Sequence, residues 1–237
     1  MKICIDAGHE YYGGNKGVSS YGEREEVITF NLAEKLKHLF VCNNIDVVLT
    51  RPNLTTTLAT SKSQSLNKRI EIANKSMCDV FISLHCGADH SVRHNGTEVQ
   101  VCRLGGEEEK FAAIIKQHIV NEVGTSDRGI RVKNEEFLKY IFAPSILIET
   151  AFITNENDVQ LLRSSLDDFA KAIFNGVCEC FASTMCHKPQ LTEPEELVNS
   201  LGKIIEINDV ASAVSALKQA KDANNSLYWM ICKIVNR

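Results

Sequence analysis

At 237 residues the chain is long enough for one sizeable α/β domain and a small appendage. Hydrophobic residues make up 44% and charged residues 24%, the balance of an ordinary soluble globular protein. A net charge of −4 with no long basic run points away from nucleic acid as the partner.

The chain opens directly on a short apolar strand, Ile3-Cys4-Ile5, followed by Asp6-Ala7-Gly8-His9. No signal peptide precedes that strand and no apolar run approaches the length of a membrane span, so synthesis in the cytoplasm without membrane insertion is expected. Gly22-Glu23-Arg24-Glu25-Glu26 leads into a helix over residues 27–40, with Phe30, Ala33, Leu36, Leu39 and Phe40 on one face. Three glutamates at that position also suit the positive end of a helix dipole. Val47-Val48-Leu49 reads as a strand and residues 66–73 as a second helix. Val80-Phe81-Ile82-Ser83-Leu84 is a strand that runs into His85. Glu98-Val99-Gln100-Val101 alternates, as an edge or half-exposed strand does. A third helix spans residues 111–123, with Ile114, Ile115, Ile119 and Val123 inward. Ile146-Leu147-Ile148 is a strand running into Glu149, and residues 167–181 form a fourth helix. Continuously apolar strands alternating with helices predict an α/β fold, a mainly parallel open sheet with helices on both faces.

The pattern breaks at Lys188-Pro189-Gln190-Leu191-Thr192-Glu193-Pro194, where two prolines mark a linker. The expected organisation is a main domain over 1–187, a linker over 188–194 and a small all-helical segment over 195–237. In that segment Asn208 or Asp209 caps a helix carrying Val210, Val214 and Leu217, and Tyr228 and Trp229 are the aromatics. So short a segment builds a marginal core alone and is expected to pack on itself, on the main domain or on another subunit. The nine cysteines are odd in number and irregularly spaced, which suits free thiols in a reducing compartment better than a disulfide framework.

His9, His85 and Glu149 each follow a buried strand, and in open α/β sheets ligands bind at the strands' carboxyl ends. Two histidines and a carboxylate make a zinc ligand set that leaves a fourth position open, and a separate glutamate can then move protons. At this level Glu23, Glu25 and Glu26 are all candidates for the carboxylate ligand. A cysteine hydrolase using Cys86 beside His85 is disfavoured, because adjacent strand residues point to opposite faces. Cys178-Glu179-Cys180 with Cys186-His187 is a poor second metal site, because helix residues two apart do not face each other.

Several segments carry a resemblance in their order and spacing. They are Ile5-Asp6-Ala7-Gly8-His9, Glu25 with Asn31-Leu32-Ala33-Glu34-Lys35-Leu36, Leu49-Thr50-Arg51, and Leu66-Asn67-Lys68-Arg69 with Ala73-Asn74. Ile82-Ser83-Leu84-His85, Arg128-Gly129-Ile130-Arg131, and the run from Pro144 to Asn155 complete the set. From Met1 to about Phe181 the chain resembles the type 3 family of N-acetylmuramoyl-L-alanine amidases, which includes many phage endolysins. The resemblance implies zinc held by His9, Glu25 and His85, with Glu149 as the catalytic glutamate. It selects Glu25 by its distance to Ala33 and Leu36. It also implies peptidoglycan as substrate, cut at the amide between N-acetylmuramic acid and L-alanine. Arg131 and Arg69 are then candidate contacts for substrate carboxylates, or else structural ion pairs. Two positions depart from the family's pattern: Cys86-Gly87 stands where Ala-Asn is common, and Ala151 where Gly is frequent. With no signal peptide, the expected setting is a phage endolysin that reaches the wall through a holin pore. A bacterial autolysin of the same chemistry and a non-catalytic wall-binding protein are the alternatives, the latter weakened because all four key positions are filled. The C-terminal helices would serve as a wall-binding module or hold an oligomer together.

Overall fold

A computed structural model describes residues 1–133 and 136–186. Its elements in chain order are β1 (Lys2–Ala7), β2 (Ser19–Ser20), β3 (Glu23–Arg24), α1 (Glu25–Cys42), β4 (Asp46–Leu49), α2 (Lys62–Ser76) and β5 (Val80–Gly87). They continue with β6 (Thr97–Val101), α3 (Glu107–Val123), β7 (Asp127–Val132), α4 (Glu136–Lys139), β8 (Ser145–Phe152), α5 (Glu156–Ser164) and α6 (Leu166–Cys186). Six strands form one sheet in the order β4-β1-β5-β8-β6-β7, and β2 pairs with β3 in a separate hairpin. Every neighbouring pair in the sheet is parallel except β8 and β6. The expected mainly parallel α/β sheet is therefore present, with one reversal of direction.

The two-residue period of the strands sorts the core into two layers. Ile3, Ile5 and Ala7 of β1, Ile82 and Leu84 of β5, and Ile146 and Ile148 of β8 bury on one face against α1, α3, α5 and α6. The intervening residues Cys4, Phe81 and Leu147 face the other way, onto Ala73 of α2 and Phe137 and Leu138 of α4. Each fully buried Ile, Leu or Phe contributes about 1.5–3 kcal/mol of transfer free energy. The α1 helix inserts Leu32, Ala33, Leu36 and Phe40, an i, i+1, i+4, i+8 stripe. The α2 helix is different. Ser61 caps its start by accepting from the Gln64 amide, and its buried row is Ser65, Arg69 and Ala73. Two of those three are polar, and they face the residues that follow β1.

Three expectations change. The alternating segment at Glu98 is no edge strand, since β6 lies between β8 and β7 with all five residues buried. Its alternation separates an apolar face, Val99 and Val101, from a polar row, Glu98 and Gln100, that faces the candidate site. The edge on that side is β7, with β4 at the other, and sequence periodicity passed β7 over because Ile130 and Val132 are its only large apolar residues. Strands β5 and β8 also run on through His85 and Glu149, which therefore lie within strands instead of beyond them.

No helix among the described residues is long and apolar enough to cross a membrane. The expected linker at 188–194 and the helical segment at 195–237, with Tyr228 and Trp229, lie outside the described residues.

Candidate metal centre and its neighbouring carboxylate

His9 follows β1 through Gly8, whose amide donates to the Leu84 carbonyl at 3.0 Å. A Cβ on Gly8 would lie 2.6 Å from both His85 Cε1 and the Leu84 carbonyl oxygen, so only glycine lets β1 approach the His85 ring this closely. His9 itself has φ +60°, a left-handed conformation uncommon for a residue with a side chain and costing on the order of 1–3 kcal/mol. Two arginines hold the backbone there. Arg51 donates to the carbonyls of Ala7 (3.0 Å), Gly8 (3.2 Å), Glu26 (3.0 Å) and Leu54 (3.1 Å). Arg69 donates to the carbonyls of Ala7 (2.8 Å) and His9 (2.6 Å) and ion-pairs with Asp6, which also accepts from Thr50 and Ser83. Thr29 closes the set with a 2.9 Å bond to the Gly8 carbonyl.

Arg69 is 1% exposed, so it does not reach substrate. Of the two readings open for Arg69, its surroundings support the structural ion pair: Asp6 takes its charge and the backbone carrying His9 takes its donors.

Glu25 opens α1 and is buried. Its Oε1 lies 3.1 Å from His9 Nε2 and 3.2 Å from His85 Nδ1, and accepts from the Cys86 amide at 3.0 Å. Its Oε2 accepts from the Val18 amide at 3.1 Å. Glu23 instead pairs with Arg163 at 2.6 Å, and Glu26 with Arg24. Of the three glutamates, Glu25 is the one brought to the histidines. The rings of His9 and His85 stand edge to face with centroids 4.8 Å apart. One potential ligand atom from each of His9, Glu25 and His85 lies within 4.8 Å of the others. The Nδ1 of His9 is buried without a hydrogen-bond partner. Imidazole nitrogen and carboxylate oxygen converging in this way fit a divalent cation such as zinc.

Glu149 is the strand partner of His85 across β5 and β8, so the two side chains share a face about 5 Å apart at the backbone. Its Oε1 accepts from Gln100 Nε2 at 3.1 Å, and its Oε2 is buried without a partner. Burial pushes the Glu149 carboxyl up to about 7, against the opposing charge of His85 and with the help of the Glu25 charge. Burial also opposes ionisation of Glu25, but hydrogen bonds and charge from His85 and His9 outweigh it and hold that carboxyl far below the usual range. His85 is pulled down by burial and raised overall by its bond to Glu25. One carboxylate is thus fixed as an anion and the other is poised near neutrality, which is the separation that acid–base chemistry needs.

Cys86 points into the apolar cluster on the opposite face from His85, and burial raises its thiol well above the ordinary value. It is no nucleophile for His85 to activate. Among the described residues no second group of three metal-ligating side chains gathers. Arg131 on β7 has a side chain 58% exposed, with Nε 3.5 Å from Glu98 Oε2. Residues 3–179 match the family described as N-acetylmuramoyl-L-alanine amidase. The chain belongs to this amidase family.

Similar amidases frame the match. The N-acetylmuramoyl-L-alanine amidase LytC of Bacillus subtilis is 30% identical over 178 residues, covering 73% of this chain and 34% of LytC. The amidase CwlM of Bacillus licheniformis is 28% identical, covering 76% of this chain and 69% of CwlM. A crystal structure of an N-acetylmuramoyl-L-alanine amidase from Clostridium difficile 630 superposes with a TM-score of 0.69 at 30% identity, covering 77% of this chain and 97% of that one. The chain thus spans about a third of LytC and nearly all of the Clostridium structure. Sequence reading singled out His9, Glu25, His85 and Glu149 but gave no role to Arg51, Thr29, Gln100 or Glu98. Arg51 stood in a quoted motif without a task, and Gln100 was marked only by its alternation.

Proposed function

We propose that the chain hydrolyses the amide between N-acetylmuramic acid and L-alanine in peptidoglycan, with zinc held by His9, Glu25 and His85. The observation that carries the proposal is the convergence of ligand atoms from His9, Glu25 and His85 within 4.8 Å of one another, with the unpartnered Glu149 Oε2 on the same face as His85. Family membership supplies the substrate class. Bound at the cluster, zinc supplies Lewis acidity toward the scissile carbonyl and the attacking water. Glu25 stays anionic and balances part of the metal's charge. Glu149 Oε2, buried and unpartnered, accepts the water's proton and returns it to the departing alanine nitrogen. Gln100 fixes the orientation of Glu149 through Oε1. Arg51 and Arg69 hold His9 in its uncommon backbone conformation, so the ligand is placed before the metal arrives.

Two settings use this chemistry, lysis of a host by a phage endolysin released through a holin pore and remodelling of a bacterium's own wall. The named relatives are bacterial proteins, which favours the second. Expressing the chain in a bacterium with and without a co-expressed pore tests the first setting, since lysis without the pore would overturn release through a holin. The metal requirement is tested by zinc analysis and chelation. About one zinc per chain is expected, with hydrolysis lost on stripping and restored by zinc. Full hydrolysis by a chain verified as metal-free would overturn the mechanism.

A further inference from the structure

Strand β7 and Lys133, which follows it, set a cationic row on the site's face around one described carboxylate, Glu98. Gln100 of β6 is register partner to Arg131 of β7, and Glu98 of β6 is register partner to Glu149 of β8. Register partners share a face, so Glu149, Glu98, Gln100 and Arg131 stand in one field, and alternation adds Lys133. Lys133 keeps the ladder going by donating its amide to the Val101 carbonyl at 3.2 Å. The polar contacts are continuous. Gln100 Nε2 lies 3.1 Å from Glu149 and 3.4 Å from Glu98 Oε1, and Lys133 Nζ lies 3.4 Å from that same Glu98 oxygen. Glu98 Oε2 is 3.5 Å from Arg131 Nε and 3.8 Å from Arg128 Nε.

Among the described residues the nearly buried Glu98 carboxylate thus faces three cations, of which Arg128 also lies in the field of Asp158 and Lys133 in that of Glu149. Arg128 turns its guanidinium over the Phe152 ring at 4.6 Å. Arg131 and Lys133 keep side chains 58% and 50% exposed, so their charged ends are open to a ligand while Glu98 braces them. A surface ion pair built for stability contributes little and needs only one cation.

We propose that Arg131 and Lys133, braced by Glu98, form a subsite for a carboxylate of the peptidoglycan stem peptide. This rests on the amidase reading above and deepens it by fixing which way the substrate lies. On the sugar side of the scissile amide, the muramoyl lactyl carboxyl is consumed in the amide itself. The free carboxylates lie on the amine side, along the peptide. A cationic row to one side of Glu149 therefore draws the peptide across β6 and β7 and leaves the glycan on the other side. Two strand spacings put β7 about 10 Å from β8, a distance that about three extended residues cover. The first residues after alanine are within that reach.

The test uses the full zinc-loaded chain and two muramoyl-peptide substrates, identical except that the stem carboxylates are free in one and amidated in the other. The wild-type chain should favour the free-carboxylate substrate about tenfold or more, through KM. The double variant Arg131→Gln/Lys133→Gln should raise KM for that substrate and collapse the preference, with any change in kcat the same for both substrates because Lys133 also acts on Glu149. The charge-conserving exchange Arg131→Lys/Lys133→Arg should retain most of it. A preference absent from the wild type, or one that survives in the double variant, would overturn the subsite. So would an equal rise in KM for both substrates, which marks a merely structural role. If the wild type cuts neither substrate, the amidase reading fails separately. Calorimetry with the two free stem peptides then decides the subsite: tighter binding of the carboxylate form, lost in the double variant, supports it, and equal binding overturns it.

Discussion

Glu149→Gln separates a carboxylate kept for chemistry from one kept for structure. The carboxyl is held at about 7 in the folded chain against an ordinary 4.5, a difference that corresponds to about 3 kcal/mol. The sign follows from which state holds the proton. Below 4.5 both folded and unfolded chains carry it, and the folded state is not penalised. Between 4.5 and about 7 the unfolded chain releases its proton first, so stability falls as pH rises. Above about 7 the native state carries the full cost of a buried anion. Glutamine removes that cost and keeps an oxygen to accept from Gln100, although its new amide donors occupy the unpartnered Oε2 position. Denaturant unfolding of the zinc-free proteins should show the variant about 1–3 kcal/mol more stable than wild type at pH 8, and within about 1 kcal/mol of it at pH 5. Hydrolysis by the zinc-loaded variant should fall at least ~100-fold. A variant that is less stable at both pH values would show that Glu149 is a structural carboxylate, and near-native turnover would show that another group moves the proton.

Other substitutions probe the remaining parts. Glu25→Ala should weaken zinc binding far more than Glu23→Ala, measured by competition with a chromogenic chelator, because only Glu25 lies against both histidines. An equal loss from Glu23→Ala would contradict the assignment. Gly8→Ala should lower both stability and zinc affinity, by about 1–3 kcal/mol in stability, because the new methyl meets the His85 ring and an immovable Leu84 carbonyl. Thermal unfolding unchanged from wild type would show that the approach of β1 to His85 is looser than described. Arg69→Met should cost about 3–5 kcal/mol, since it strands the buried Asp6 charge. A loss below 1 kcal/mol would mean Thr50 and Ser83 satisfy Asp6 by themselves.

Much of this was legible in the sequence, and the failures share a cause. Periodicity found β1, β5 and β8 because each carries a run of aliphatics, and their parallel pairing brought the residues at their ends together. It could not separate Glu23, Glu25 and Glu26, because a three-glutamate helix start satisfies the helix dipole whichever one turns inward. Family spacing chose Glu25, and the bonds of Glu23 to Arg163 and Glu26 to Arg24 show where the others go. Arg69 stayed open between a substrate contact and a structural ion pair, because sequence does not show which way a charged residue on a polar helix turns. Only the tertiary fold shows that Ser65, Arg69 and Ala73 form the inward row. The β6 segment read as an edge or half-exposed strand because Glu98 and Gln100 alternate with valines, the pattern of a solvent-facing strand. Here the polar side faces the site.

The most direct measurement of the central claim is digestion of purified sacculi by the zinc-loaded chain, with the new ends identified by mass spectrometry. Free amino-terminal alanine on released peptides, with glycan strands left intact, is expected. New reducing sugar ends, cuts within the peptide, or no release by a verified zinc-loaded chain would contradict it.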